Sequence, residues 1–146
     1  MKIRNNRLFV PVLILMTGLV FSSFIFTENK TSQSVKSGKE QPGKAVYKKY
    51  CLTCHQTNGS GVPGMFPPLS NGSWVGKNPN ELVAIILKGL KGEIEVKGEP
   101  YKNTMPPQTK ITNQELANVL TFVRSNFGNN FTPVTPDMVK KARAGL

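Results

Sequence analysis

The chain has 146 residues and carries 19 lysines and arginines against 8 aspartates and glutamates, a formal net charge of +11. This length suits one domain with a short appendage and excludes a large multidomain chain. The basic residues form no cluster interleaved with aromatic residues, so we predict that the protein does not bind nucleic acid.

An uncharged apolar segment, Leu8 to Phe26, lies near the N-terminus and is preceded by basic residues. As a helix, its roughly 19 residues would span about 28 Å, close to the thickness of a bilayer's hydrocarbon core. The basic flank predicts that the rest of the chain lies on the periplasmic side of the cytoplasmic membrane. We interpret 1–27 as either a transmembrane anchor or a cleaved signal peptide. The anchor is favoured because no A-x-A-like cleavage site follows.

A polar segment without apolar periodicity follows at 28–42 and predicts a flexible linker. We therefore assign 43–146 to one folded domain. Its first element is a predicted helix in which Gly43, Tyr47 and Cys51 stand four residues apart and share one face. A glycine on that face indicates either close approach of another helix or an ordinary position near a helix start.

Both cysteines and the single histidine fall within five consecutive residues, Cys51-Leu52-Thr53-Cys54-His55. Cys-x-x-Cys-His is the attachment signature of c-type haem, in which two thiols bond to the haem vinyl groups and the histidine ligates iron. On a helical turn, residues three apart face the same way, so both cysteine sulfurs can reach one edge of the porphyrin. A structural zinc site would need two further ligands, and a thioredoxin-like site would need a βαβ setting. The motif therefore predicts one covalently bound haem c.

The loop after His55 is rich in glycine and proline, which excludes regular structure. A proline carbonyl in such a loop is suited to accept a hydrogen bond from the outer N–H of the histidine and so to fix its ring. Pro67 and Pro68 are both candidates for this acceptor.

A helix is predicted from Asn78, because Asn78-Pro79 supplies a cap and a proline at the first helical position. Gly89 and Gly92 end this helix. Its apolar stripe, which we expect to pack against haem, consists of Leu82, Ile85, Ile86 and Leu90. Residues 94–101 then alternate apolar and polar side chains about a Lys-Gly turn, which predicts a short β-hairpin.

The next helix is predicted from a capping box at 112–115, and Gly128 ends it. Its apolar stripe has helical spacing and consists of Leu116, Val119, Leu120, Val123 and Phe127. A last short helix is predicted after Thr135, with Val139 and Ala142 covering the end of the domain.

With one histidine in the chain, a second iron ligand has to come from methionine, less commonly from lysine or tyrosine, or be absent. Met65 lies in the loop that must wrap the ring close to His55, and Met138 is interpreted as a packing residue. Met105 follows the hairpin and is braced by two prolines. Its alternative role is to fill a gap in the core. We predict His55 and Met105 as the axial ligands.

These features resemble the class I cytochromes c over residues of about 38–130. The resemblance rests on the first helix, the Cys-x-x-Cys-His motif, Pro67-Pro68-Leu69, Met105-Pro106, and the helix around Val119 and Phe122. It implies an all-α haem-binding fold, here with a short β-hairpin before the methionine-ligand loop. In that fold the first helix crosses the helix around Val119 and Phe122, and Gly43 and Tyr47 would meet these two residues.

The resemblance also implies which residues surround the haem. Pro67 or Pro68 would bind His55, and Leu69 would lie in the same stretch of the haem-binding loop. Trp74 is similar to an aromatic residue often found in these domains, and we include it among the haem-binding residues.

The function implied by the resemblance is one-electron transfer in an exported respiratory or dehydrogenase-linked chain, with no catalytic residue. Such domains occur alone, anchored to the membrane, or as the cytochrome subunit of an oxidoreductase complex. Their partners are an electron donor and an electron acceptor. The alternative function is a haem sensor or haem enzyme with an open sixth coordination position, which would need a distal polar residue.

Overall fold

The computed structural model describes residues 40–72 and 74–146. These residues form helices α1 (Pro42–Tyr50), α2 (Leu52–His55), α3 (Pro79–Lys88), α4 (Asn113–Ser125) and α5 (Pro136–Ala144), and strands β1 (Ile94–Val96) and β2 (Glu99–Tyr101). The predicted mostly helical fold with one hairpin is confirmed. No helix within this part of the chain is long and apolar enough to cross a membrane. The predicted membrane segment, Leu8–Phe26, lies outside the described residues.

Helices α1 and α4 cross at a glycine. A Cβ atom on Gly43 would overlap the carbonyl oxygen of Asn118 and lie 2.5 Å from the Cβ of Phe122. One turn further along α1, the ring centroid of Tyr47 lies 5.5 Å from that of Phe122. Val119 is buried in the same core. Of the two interpretations of Gly43, close approach of another helix is the one observed.

Helix α4 starts where the capping box predicts. The Thr112 hydroxyl accepts a hydrogen bond from the Glu115 N–H at 3.1 Å, and the Glu115 carboxylate accepts one from the Thr112 N–H at 2.9 Å. The predicted end is wrong, because α4 ends two residues before Phe127, whose φ is 58°. The Asn126 side-chain amide donates to the Phe122 carbonyl at 2.8 Å and satisfies one of the free carbonyls at the helix end.

Helix α3 is apolar on two faces. The residues of its predicted stripe line an internal cleft, and the last of them lies two positions beyond the end of the helix: Leu82, Ile85, Ile86 and Leu90. On the neighbouring face, Val83 and Leu87 pack into the core. A helix that is apolar over most of its circumference is buried on more than one side. The spacing therefore predicted the face toward the cleft and missed the face toward the core.

The hairpin forms as predicted. Strands β1 and β2 pair antiparallel, with Ile94 opposite Tyr101. The turn residues Lys97 and Gly98 have φ values of 57° and 81°. Positive φ at both central residues is the requirement of a two-residue turn that matches the twist of the strands.

Helix α5 begins after Thr135, whose hydroxyl accepts a hydrogen bond from the Met138 N–H at 3.2 Å. Val139 and Ala142 are buried, as predicted. The packing role expected for Met138 is wrong, because this residue is 37% exposed.

The capping box predicts a contribution to the pH dependence of stability. Hydrogen bonds from Thr112, chiefly from its backbone N–H and then from its hydroxyl, hold the pKa of Glu115 below the usual value of 4.5. A carboxylate whose pKa is lower in the folded state stabilises the fold above its unfolded pKa, and this stabilisation is lost as the pH falls. We expect the free energy of unfolding to decline below about pH 5, and Glu115→Gln to make that decline shallower.

Urea titrations at a series of pH values measure this effect. The Thr112→Ala variant keeps the backbone N–H and loses the hydroxyl, so it should retain most of the decline. Identical pH profiles for the natural protein and Glu115→Gln would contradict the prediction.

Candidate haem site

An apolar cleft is enclosed by α3, α4, the hairpin and the loop after α2. It brings together every residue predicted for the site, namely Cys51, Cys54, His55, Pro67, Pro68, Leu69, Trp74 and Met105. The remaining wall is mostly aliphatic and aromatic, and includes Phe66, Val75, Leu82, Ile85, Ile86, Leu90, Ile94, Val96, Tyr101, Val119, Leu120 and Val123. A pocket of this kind suits a large apolar ligand that is oriented by a few polar groups.

Cys51 is the N-terminal cap of α2, and Cys54 lies within the single turn of that helix. The N–H groups of Cys54 and His55 donate to the Cys51 carbonyl at 3.2 and 2.9 Å. Both cysteines are half-buried and part of the cleft wall, and no disulfide joins them. Burial, with a smaller contribution from the nearby Cys54, raises the pKa of Cys51 to about 12. Before haem is attached, the Cys51 thiol is therefore protonated at neutral pH.

The imidazole of His55 is held by the loop that follows it. Its Nδ1 lies 2.9 Å from the carbonyl oxygen of Pro67. Because a carbonyl only accepts, Nδ1 carries the hydrogen and donates, which leaves Nε2 available to bind a metal. Burial lowers the pKa of His55, although the bond to Pro67 acts in the opposite direction. The ring is therefore neutral at pH 7, the form that binds a metal.

The segment around Met105 is anchored to the end of α3. The Met105 N–H donates to the Leu90 carbonyl at 2.9 Å, and the Leu90 N–H donates to the Met105 carbonyl at 3.0 Å. The Gln108 N–H donates to the Ile86 carbonyl at 2.8 Å. Gly89 approaches so closely that a Cβ atom there would overlap the Met105 carbonyl oxygen. The thioether of Met105 thus comes from a segment whose backbone is fixed at several points.

These side chains fit a c-type haem. Two thiols three residues apart, an imidazole with Nε2 available and a thioether line one cleft, and each is a group by which proteins hold this haem. Over residues 40–72 and 74–146, no cluster of three or more His, Cys, Asp or Glu residues forms that would hold a bare metal ion. The two thiols, the imidazole and the thioether of the cleft suit iron within a porphyrin.

Comparison with known proteins agrees with this chemistry. Residues 40–127 match the sequence profile described as Cytochrome c. The chain belongs to the class I cytochrome c family. It carries one covalently bound haem c and is an electron carrier, not an enzyme in its own right.

The cytochrome is similar to a short relative over most of that relative's length. It is 37% identical to "Cytochrome c-552" of Thermus thermophilus over 111 residues, which cover 70% of this chain and 84% of the relative.

Other relatives are much longer than the cytochrome. It is 34% identical over 115 residues to "Fructose dehydrogenase cytochrome subunit" of Gluconobacter japonicus, covering 73% of this chain and 23% of that protein. It is 38% identical over 91 residues to "Alcohol dehydrogenase (quinone), cytochrome c subunit" of Gluconacetobacter polyoxogenes, covering 60% of this chain and 19% of that protein. The cytochrome therefore spans a minor part of these dehydrogenase subunits.

Arg124 supports one wall of the cleft and was missed in the sequence. It is 4% exposed and donates to the carbonyls of Val75 at 2.7 Å, Lys77 at 3.1 Å and Thr132 at 2.8 Å. Burial lowers the pKa of Arg124, and these carbonyls satisfy its buried N–H groups. The available signal was its position four residues after Leu120, on the apolar stripe of α4.

Asn129 fixes a neighbouring part of the same wall. Its side-chain amide donates to the carbonyls of Leu69 at 2.7 Å and Val123 at 2.8 Å, and accepts from the Gly72 N–H at 3.3 Å. No pattern in the sequence distinguishes Asn129 from the asparagines beside it, so it was also missed.

Trp74 joins this wall of the cytochrome to the hairpin. Its indole N–H donates to the Glu95 carbonyl of β1 at 3.0 Å, and the Nζ of Lys77 lies 4.6 Å from the ring centroid. The indole therefore presents apolar surface to the cleft while its N–H is bound to the backbone of β1.

Proposed function

We propose that this cytochrome carries single electrons with His55 and Met105 as the two axial ligands of the haem iron. The observation that carries the proposal is that both side chains line one apolar cleft and come from segments fixed by backbone hydrogen bonds. When bound, the haem supplies one iron atom that gains and loses a single electron.

The residues of the chain have separate roles in this proposal. Cys51 and Cys54 attach the cofactor covalently, and the Pro67 carbonyl orients the His55 ring through its 2.9 Å contact with Nδ1. Met105 contributes a soft sulfur ligand, which favours a high reduction potential. Because these groups are held in place beforehand, little rearrangement is needed when the oxidation state changes.

We further propose that the domain at 43–146 acts on the periplasmic side of the cytoplasmic membrane. The apolar segment Leu8–Phe26 and its basic flank support export or anchoring, and the polar residues between this segment and α1 would serve as the linker. The relatives named as cytochrome subunits of fructose and alcohol dehydrogenases support a place in a dehydrogenase-linked or respiratory chain. The partners would then be a dehydrogenase or another electron donor, and an electron acceptor.

The Met105→Ala variant tests the ligand assignment. It should lose completely the weak far-red absorption band of a methionine–iron bond and should show a lower reduction potential, because a thioether ligand raises that potential. Absorption spectra and redox titrations of the haem-loaded protein measure both properties.

Met65→Ala is the matched control, since Met65 is 49% exposed and the cleft wall does not include it. This control should keep the band and the potential. An unchanged band and potential in Met105→Ala would overturn the assignment. A natural protein with an open sixth position would favour a haem sensor or haem enzyme instead.

A further inference from the structure

Gln56, the residue directly after His55, has an unusual backbone conformation. Its φ is 63° and its ψ is 167°. This region is populated almost only by glycine, because a Cβ atom is crowded there. A strained conformation of this kind persists only where the surrounding contacts hold it in place. Contacts from other residues therefore hold Gln56, which lies next to the proposed iron ligand His55, in this conformation.

The Tyr47 hydroxyl makes the shortest contact with this residue. It donates to the Gln56 carbonyl oxygen at 2.6 Å, whereas the Gly59 N–H donates to the same oxygen at 3.3 Å. Tyr47 is 2% exposed, and its ring centroid lies 5.5 Å from that of Phe122 and 5.3 Å from that of Phe127. The ring is thus fixed in the core between α1 and α4, with its hydroxyl at the Gln56 carbonyl.

The strained residue shares a peptide plane with the histidine. The His55 carbonyl and the Gln56 N–H belong to one planar unit, so relaxation at Gln56 would act on that plane. The Gln56 N–H donates to the Leu52 carbonyl at 2.9 Å, and the His55 carbonyl accepts a hydrogen bond from the Gly61 N–H at 3.1 Å. A change at Gln56 therefore acts on both the backbone of His55 and the loop that carries the Pro67 acceptor.

We propose that the Tyr47 hydroxyl is a positioning group for His55. It acts through Gln56, which it holds in a conformation that otherwise suits glycine, and it links the crossing of α1 and α4 to the orientation of the imidazole. The inference rests on the proposed function, because it takes His55 as an iron ligand.

The Tyr47→Phe variant keeps the aromatic ring and removes only the hydroxyl. In the haem-loaded protein, the amide hydrogens of Gly59 and Gly61 should exchange about tenfold faster, because one hydrogen bond that holds their loop is lost. Amide hydrogens in the middle of α4 serve as the internal reference and should be unaffected. The NMR shifts of the haem methyl groups, which depend on the orientation of the axial histidine, should also change.

Two substitutions at Gln56 separate backbone strain from loss of the side chain. Gln56→Gly removes the strain, whereas Gln56→Ala retains the strain because alanine has a Cβ atom. Adding Tyr47→Phe to Gln56→Ala should still speed exchange about tenfold, and adding it to Gln56→Gly should speed exchange less than about threefold. With Tyr47 intact, Gln56→Gly should unfold at a higher denaturant midpoint than Gln56→Ala, a comparison that needs no change at Tyr47.

Unchanged exchange and methyl shifts in Tyr47→Phe would overturn the proposal. So would equal exchange effects of Tyr47→Phe in the two Gln56 backgrounds, or equal unfolding midpoints for Gln56→Gly and Gln56→Ala. Each comparison of exchange rates or unfolding midpoints is made between proteins that keep His55 and Met105, so its outcome does not report which residues ligate iron. A failure of the proposed His55 ligation would appear instead in the spectrum of the natural protein.

Discussion

The Gly89→Ala protein is expected to lose about 3 kcal/mol of unfolding free energy and, with Met105 as the proposed iron ligand, most of its methionine–iron absorption band. Gly89 has a φ of 73°, and a Cβ atom there would overlap the Met105 carbonyl oxygen and lie 2.9 Å from the Pro107 nitrogen. These neighbours are backbone atoms, so they cannot turn aside as the end of a flexible side chain would. The segment carrying Met105 would have to move away from α3. Denaturant titration and absorption spectra measure the two effects.

Gly92→Ala is the matched control for this prediction. Gly92 also has a positive φ, of 91°, but a Cβ atom on it would have nothing within 4 Å. The control should therefore lose only about 1 kcal/mol of unfolding free energy, from the positive φ of a non-glycine residue, and should keep the absorption band. If both variants lost the band equally, contact between Gly89 and the Met105 segment would not be what positions the sulfur.

The Gly43→Ala protein is expected to be destabilised by about 3 kcal/mol, because the added methyl group has no room at the crossing of α1 and α4. The new Cβ atom would overlap the Asn118 carbonyl oxygen and lie 2.5 Å from the Phe122 Cβ. The two helices would have to separate, which loosens the packing of Tyr47 between them. Urea or thermal unfolding of the haem-loaded protein gives the loss directly.

Gly72→Ala provides a comparison at another buried glycine. The nearest atom to a Cβ on Gly72 would be the Ser70 carbonyl oxygen at 3.6 Å, an ordinary contact distance. This variant should remain within about 1 kcal/mol of the natural protein. A similar loss in both variants would mean that the glycine at the helix crossing has no special steric role.

The features that the sequence predicted well depend on residues close together in the chain. The capping box needs Thr112 and Glu115 on one helical turn, and the hairpin needs Lys97 and Gly98 at its centre. The geometry of such patterns can be predicted from the sequence, because the interacting groups lie within a few residues of each other. The Cys-x-x-Cys-His motif is local in the same sense, and it predicted three residues that line the cleft.

The features that were missed depend on contacts between distant segments. Arg124 binds the Val75 carbonyl across 49 positions of sequence, and Gly89, predicted only as a helix end, packs against the backbone of Met105. Phe127 was expected inside α4, where the apolar spacing places it, yet its ring packs in the core from beyond the helix end. Periodicity reports which residues are apolar and does not report which backbone atoms they approach.

The acceptor that orients His55 is a main-chain atom, and this affects how the protein tolerates sequence change. The Pro67 oxygen is placed by the path of the loop, in which a Cβ atom on Gly61 would lie only 2.6 Å from that same oxygen. A substitution at position 67 keeps the main-chain carbonyl, so the hydrogen bond to His55 does not require a particular side chain there. Insertions or deletions between His55 and Pro67 would shift the acceptor. The length of this loop is therefore more tightly constrained than most of its composition.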